Sequence, residues 1–287
     1  MTSAVNFFDM NAAPMRIGTV RLKVRDLETV SGFYQKTLGL SEISNSPQEA
    51  VLGVGATPLL ILAADPALAP RDRRQAGLFH TAFLMPTRAD LGRWVGYIAE
   101  MRLRIDGASD HIVSEALYLT DPEGNGIEVY ADRPVADWLD KAGRVQMSTD
   151  PLDLRDLAMA AEGRVWAGFP DGGSIGHVHL QVGDTVLADR FYNDVLGFDK
   201  VVDYPGASFY GSGGYHHQLA GNIWNSRGAS RRPENMAGLN QVEIIMRDAD
   251  DLATIIARAE DAGIEIARHD QGATLHDPWG TAITLKF

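Results

Sequence analysis

Four times along the chain, a stretch of alternating apolar and polar residues gives way to a helical repeat. The first stretch is Ile17–Val24 (IGTVRLKV), followed by DLETVSGFYQKTLGL, and the second is Leu78–Met85 (LFHTAFLM), followed by TRADLGRWVGYIAEM. The third is Ile175–Val182 (IGHVHLQV) before GDTVLADRFYNDVLGF, and the fourth is Leu239–Met246 (LNQVEIIM) before DADDLATIIARAEDAGI. Alternating polarity marks a strand with one buried face, and apolar residues three and four apart mark a helix. After each helix come short β-rich runs broken by Gly and Pro, as in VLGVGATPLLILA and ASFYGSGGYHHQLA. Each segment therefore reads as βαβββ, and the chain as an α+β protein of four copies with mixed sheets. The modules span 15–66, 78–132, 175–228 and 238–287, two on either side of a connection over 133–174.

The copies share finer detail in alternation. Modules one and three end their helix with FYxxxLG: Phe33-Tyr34 with Leu38-Gly39, and Phe191-Tyr192 with Leu196-Gly197. Modules two and four share an Asp-Pro-x-Gly turn, Asp121-Pro122-Glu123-Gly124 and Asp277-Pro278-Trp279-Gly280, suited to joining two strands tightly. A connection as long as 133–174 carries structure of its own. One or two short helices packed on the sheets are expected there.

Composition narrows the class without naming a chemistry. The 287 residues are 45% apolar, enough for one large core or two ordinary ones. No apolar run reaches the roughly 18–20 residues of a membrane span, and the N-terminal MTSAVNFFDMN lacks the basic and apolar regions of a secretion signal. The absence of cysteine excludes disulfides, thiolate metal sites and cysteine nucleophiles, and suits a cytoplasmic location. A net charge of −12 argues against a nucleic-acid partner; the basic cluster Arg71, Arg73, Arg74 reads as a solvated loop.

Four βαβββ modules with these signatures resemble the vicinal oxygen chelate superfamily of glyoxalases, fosfomycin- and bleomycin-resistance proteins and extradiol dioxygenases. DHIVSEALYLTDPEGNGIEVYADRP (Asp110–Pro134), GHVHLQV and GGYHHQLAGNIWNS are similar to the bacterial catechol 2,3-dioxygenase branch. The resemblance implies that two modules pair into a curled sheet enclosing a metal. Its ligands would lie on the opening strands of both modules and on the last strand of one. The opening-strand positions hold Thr19, His80, His177 and Gln241, and the closing-strand positions hold Glu128 in module two and Thr284 in module four. Pairing one with two and three with four would leave neither sheet a full set. Pairing two with three, and one with four, assembles His80, Glu128 and His177. That set leaves adjacent positions open on Fe(II), and Mn(II) accepts it too. The blander reading is that each histidine is a packed core residue and that Glu128 faces solvent; against it, six of the eight histidines lie in modules two and three.

The resemblance also implies an acid–base histidine, a second histidine and a tyrosine around the metal. Tyr118 stands the family's ten residues before Glu128, and His111 stands seven before Tyr118, slightly short of the family spacing. The acid–base residue matches His216-His217-Gln218-Leu219-Ala220, and strand alternation favours His217 as the member of the pair facing the cavity. His216, Tyr215 and Asn225 are placed as substrate contacts, Trp224 as core or ring border, and His179, on the face of His177, as either a substrate contact or a packed histidine. His269 and His276 read as structural or exposed. The implied activity is ring cleavage of a catechol- or hydroquinone-like aromatic by dioxygen, in a homo-oligomer. A glyoxalase-type isomerase or lyase, or a metal-free aromatic-binding protein, are the alternatives on the same scaffold.

Overall fold

The computed structural model describes residues 6–287. Module one comprises β1 (Met15–Val24), α1 (Leu27–Leu38), β2 (Ser41–Ser46), β3 (Glu49–Val54) and β4 (Thr57–Ala64). Module two repeats the order with β5 (Gly77–Leu84), α2 (Arg88–Glu100), β6 (Gly107–Asp110), β7 (Ser114–Thr120) and β8 (Gly126–Asp132). The connection carries α3 (Val135–Trp138), β9 (Asp150–Pro151) and α4 (Leu154–Met159). Module three contains β10 (Ser174–Gln181), α5 (Thr185–Asp189), β11 (Asp199–Tyr204), β12 (Ala207–Gly211) and β13 (Leu219–Asn222). Module four contains β14 (Gly238–Met246), α6 (Ala249–Asp261), β15 (Ala267–His269), β16 (Gly272–His276) and β17 (Ala282–Lys286). Among the described residues no helix is long and apolar enough to cross a membrane.

Each module helix starts on the same local chemistry. Asp26, Thr87, Asp184 and Asp248 sit just before the first turn with extended backbone, and their side chains accept from backbone N–H groups that the helix leaves unpaired. Gly39, at φ 68°, ends α1 in the left-handed conformation that a side chain disfavours. In module three the α-helix is only five residues long and continues as a π-helical turn over Arg190–Val195, within the FYxxxLG segment.

The strands form two sheets. One runs β15-β16-β17-β14-β1-β4-β3-β2 and the other β11-β12-β13-β10-β5-β8-β7-β6-β9. Module one thus pairs with module four through antiparallel β1 and β14, and module two with module three through antiparallel β5 and β10. β1 packs against β10 and β14 against β5, so that one apolar core, with Val20, Leu22, Leu60, Val178, Val242 and Ile283 fully buried, is continuous between the sheets and their helices. The connection is woven in. β9 adds to β6, and α4 crosses α2 where a Cβ on Gly92 would stand 2.4 Å from the Leu157 carbonyl. Arg71 departs from the solvated-loop expectation: its guanidinium is half-buried and donates to the carbonyls of Gly124 and Leu78, while Arg73 and Arg74 stay exposed. The carbonyls of that turn and of β5 need a donor once covered, and Arg71 supplies it.

Candidate metal centre and active site

His80 lies on β5, His177 on β10 and Glu128 on β8, three adjacent strands of one sheet. The register places His179 opposite His80 and His177 opposite Ala82, which in turn neighbours Glu128. Strand alternation then sends His80, His177, His179 and Glu128 to one face. His80 Nε2 stands 2.9 Å from Glu128 Oε2, His177 Nε2 stands 3.4 Å from the same oxygen, and the two Nε2 atoms are 3.3 Å apart. All three side chains are buried. Among the described residues they form the one group of three such side chains with converging ligand atoms.

The protonation states suit a cation. Burial holds the His177 imidazole down at about 4, so it is neutral and its Nε2 lone pair is free. Burial pushes Glu128 the other way, but attraction to the His177 and His80 imidazoles in their protonated form outweighs this and keeps the carboxyl well below its usual range, so it is ionised where His177 is neutral. Ligand atoms about 2.1 Å from a divalent first-row ion and at right angles to one another stand about 3.0 Å apart. The observed separations of 2.9, 3.3 and 3.4 Å fit a three-coordinate face of such an ion. The residues therefore fit the metal that their types imply.

The triad lines a cavity of about 300 Å³. Tyr118 and Glu128 are cross-strand partners in the β7–β8 hairpin, so the ten-residue spacing between them is the length of that hairpin. Tyr118 Oη lies 2.5 Å from His111 Nε2, and His111 Nδ1 lies 2.5 Å from the Ser148 carbonyl. A carbonyl can only accept, so Nδ1 carries the proton and Nε2 accepts from the tyrosine. The turn that presents His111 holds Ile112 at φ 70°, a costly conformation for a β-branched residue, pinned by its N–H donating to Asp110 at 2.9 Å. Burial and then the Glu128 charge push the Tyr118 phenol well above its ordinary value, so it remains protonated.

His217 lines the cavity and His216 does not. The ring of His217 is 4.2 Å from that of His177. Burial, and then His177, hold its imidazole well below the ordinary value, in the neutral form. His216 and Tyr215, expected at the substrate, instead stand behind the wall. Both are fully buried; His216 Nε2 is 2.9 Å from Asp132 Oδ1, and Tyr215 Oη is 3.2 Å from the same oxygen. The segment from Ser212 to Gln218 is a turn rather than a strand, so alternation does not govern which way these rings point. Asn225, the third expected contact, is exposed and borders a neighbouring cleft with Arg71 and Gln181. His179 lines the cavity with its Nε2 buried and unpartnered, while His269 and His276 are exposed.

The apolar part of the lining was not among the expected residues, Trp224 excepted. Phe79, tilted, and Phe209, edge-on, flank the ring of His179, and the exposed Trp224 and Tyr204 and, from the connection, Met147 complete this part of the lining. Phe79 is adjacent to His80 and by alternation should face away. The pairing steps from His179–His80 to Leu180–Leu78, leaving Phe79 as an extra residue in a β-bulge, which turns it into the cavity. A Phe flanked by strand residues carries no such signal.

In the other sheet the same positions are occupied by groups that satisfy one another. Thr284 Oγ1 is 2.8 Å from Thr274 Oγ1, Glu243 pairs with Lys286, and Arg21 pairs with Glu49. Thr19 and Gln241 complete a face with no histidine on either opening strand.

Against known proteins, the model of the Glyoxalase/Bleomycin resistance protein/Dioxygenase superfamily matches residues 16–129 and 174–285. The chain is 39% identical over 267 residues to catechol-2,3-dioxygenase of Bacillus subtilis (strain 168), covering 91% of this chain and 93% of that one. A putative dioxygenase from Bacillus subtilis shares the fold at a TM-score of 0.62 and 13% identity, over 94% of this chain and 84% of that one. Glyoxalase I from Zea mays does so at 0.57 and 17%, over 96% and 92%. These two likenesses speak for the fold alone. With the family model spanning both halves and a close relative spanning nearly all of the chain, the protein belongs to the glyoxalase/bleomycin resistance/dioxygenase superfamily.

Proposed function

We propose that the protein is a non-haem, metal-dependent extradiol dioxygenase that opens the ring of a catechol- or hydroquinone-like aromatic. The observation that carries the reading is the convergence of His80 Nε2, His177 Nε2 and Glu128 Oε2 on the wall of a largely apolar cavity that also presents His217 and the His111–Tyr118 pair. The full-length likeness to a protein named catechol-2,3-dioxygenase agrees with it. When bound, Fe(II) or Mn(II) supplies a Lewis-acidic, redox-active meeting point for the two substrate hydroxyls and dioxygen.

The remaining steps fall to the side chains. Phe79, Phe209 and Trp224 offer ring faces to an aromatic substrate and exclude water from it. His217, neutral and beside His177, takes a hydroxyl proton from the substrate and later returns it. Tyr118, protonated and held by His111, hydrogen-bonds the reacting oxygens. Among the described residues Glu128 is the one carboxylate on the cavity wall, so a second carboxylate ligand to the metal is not at hand.

The test is oxygen uptake by protein reconstituted anaerobically with Fe(II), against a panel of catechols and hydroquinones. Uptake matched mole for mole by a coloured ring-opened product supports the reading. Stoichiometric metal with no uptake on any member overturns it.

A further inference from the structure

Behind the wall of the cavity a chain of hydrogen bonds runs from the half-buried Asp132 to the buried His217. His216 Nε2 lies 2.9 Å from Asp132 Oδ1, and His216 Nδ1 lies 2.8 Å from His217 Nδ1. Asp132 is the last residue of β8, the strand that carries Glu128. Tyr215 donates its hydroxyl to the same Asp132 oxygen at 3.2 Å and receives one from Tyr130 at 2.8 Å. A carboxylate with two donors already aimed at one oxygen is an acceptor only.

Each link then fixes the next. Because Asp132 accepts, His216 carries its proton on Nε2, which leaves His216 Nδ1 as a bare acceptor. A single hydrogen can lie between the two Nδ1 atoms, and a neutral His216 bonded this way to Asp132 has none to give there, so it comes from His217. His217 is therefore protonated on Nδ1 and bare on Nε2. Among the described residues the bond to His216 is the only side-chain hydrogen bond that His217 makes. The ring of His216 has no freedom to reverse this order: Tyr215 lies 4.0 Å and Trp138 4.9 Å from it, centroid to centroid, and none of the three is exposed to solvent.

We infer that Asp132 and His216 are positioning residues that lock His217 in the Nδ1–H tautomer, presenting an unprotonated Nε2 to the cavity. The proton-accepting nitrogen is thus selected by an Asp–His pair that never meets the substrate. This also gives His216, Tyr215 and the connection's Trp138 a common task, since all three hold the relay in place. Orientation of a base by a buried partner is a familiar device for imidazole, where the atom bonded to the partner decides which nitrogen is free.

The inference rests on the dioxygenase reading only for its effect on turnover, so the test has two arms. In the first, nitrogen NMR of the ¹⁵N-histidine-labelled full-length protein, loaded with diamagnetic Zn(II), reads the tautomer of His217 directly. A protonated Nδ1 and an unprotonated Nε2 are expected, and the reverse assignment overturns the inference. In the second, His216→Phe keeps an aromatic ring between Tyr215 and Trp138 but abolishes the relay, whereas His216→Gln can accept from His217 through Oε1 and donate to Asp132 through Nε2. His216→Phe is expected to lower kcat by about tenfold or more with KM within about twofold, and His216→Gln to recover most of that loss. Both should retain wild-type metal stoichiometry. Equal kcat in His216→Phe and wild type, or equal losses in the two variants, would overturn the positioning role. If the wild type consumes no oxygen, the dioxygenase reading fails and the nitrogen shifts still decide the tautomer.

Discussion

The hydroxyl of Tyr192 donates to Asp277 at 2.8 Å, and Tyr34 meets Asp121 in the same manner at 3.3 Å. Each bond joins the FYxxxLG helix of one module to the Asp-Pro-x-Gly turn of the next. Because modules one and two lie in different sheets, as do modules three and four, the two bonds clamp one sheet to the other at equivalent places. Burial raises both carboxyls and pushes both phenols up, so neither partner is solvated if the other is removed. Tyr192→Phe is therefore expected to cost about 1–3 kcal/mol, the penalty for an unpaired buried polar group. Urea unfolding would read the cost, with metal content unchanged as the control; a loss below about 0.5 kcal/mol would show that Asp277 finds another donor.

Removing a metal ligand should separate binding from folding. His177→Ala and Glu128→Ala each leave two of the three converging atoms, and metal content after gel filtration is expected to fall below about a tenth of wild type. Circular dichroism should be unchanged, because neither side chain belongs to the main core. Retention of stoichiometric metal by either variant would remove the triad from consideration as the site.

Tyr118→Phe tests the other wall. The substitution deletes the hydroxyl that His111 accepts and leaves the β7–β8 hairpin intact. Oxygen uptake is expected to fall by about tenfold to a hundredfold through kcat, with metal content preserved. A change confined to KM would instead assign the hydroxyl to substrate binding.

Much of this fold and site was legible in the sequence, for identifiable reasons. The four alternating strands, each ahead of a capped helix, give the modules. The blank positions Thr19 and Gln241 give the pairing of two with three, because only that pairing collects His80, His177 and Glu128, the set the family resemblance calls for. Tyr118 was legible because a hairpin converts a fixed spacing into a cross-strand contact. The failures have equally local causes. Phe79 enters the cavity through a bulge, and a one-residue register step leaves no trace in composition. His216 and Tyr215 lie in a turn, where alternation says nothing about direction. Met147 and Ser148 reach the site from the connection, and no repeat unit offers a counterpart from which to place them.

Acid should weaken the metal-free protein before it titrates any ordinary carboxylate. His177 takes up a proton at about 4 in the folded chain, against 6.5 for the free side chain. Below 6.5 the unfolded state therefore binds the proton that the folded state refuses, and stability falls as the pH falls from 6.5 towards 4. His179 and His217, held low by burial and then by neighbouring histidines, act in the same sense. The contribution of His177 is on the order of 3 kcal/mol, present above 6.5 and lost by about pH 4. Denaturation midpoints of the metal-free chain at pH 7.5, 5.5 and 4.5 would follow it, and His177→Gln should flatten the profile. An unchanged slope in that variant would place the acid sensitivity elsewhere.

The glycine before His177 is the most exacting single position on the opening strands. Pairing steps from Ile175–Phe83 to His177–Ala82, so Gly176 is the extra residue of a second bulge, and a Cβ there would stand 1.8 Å from Tyr130 Oη. Tyr130 is fully buried and bonded to Tyr215, so it has nowhere to go. Gly176→Ala must displace either that ring or β10, and β10 carries His177. The variant is expected to lose at least about 2 kcal/mol of stability and most of its metal together. Gly96→Ala serves as the comparison: the position is exposed in α2, an added Cβ meets nothing within 4 Å, and a gain of up to about 1 kcal/mol is expected. If Gly176→Ala binds metal like wild type, the bulge is not what sets His177, and the alternation of β10 alone suffices to place it.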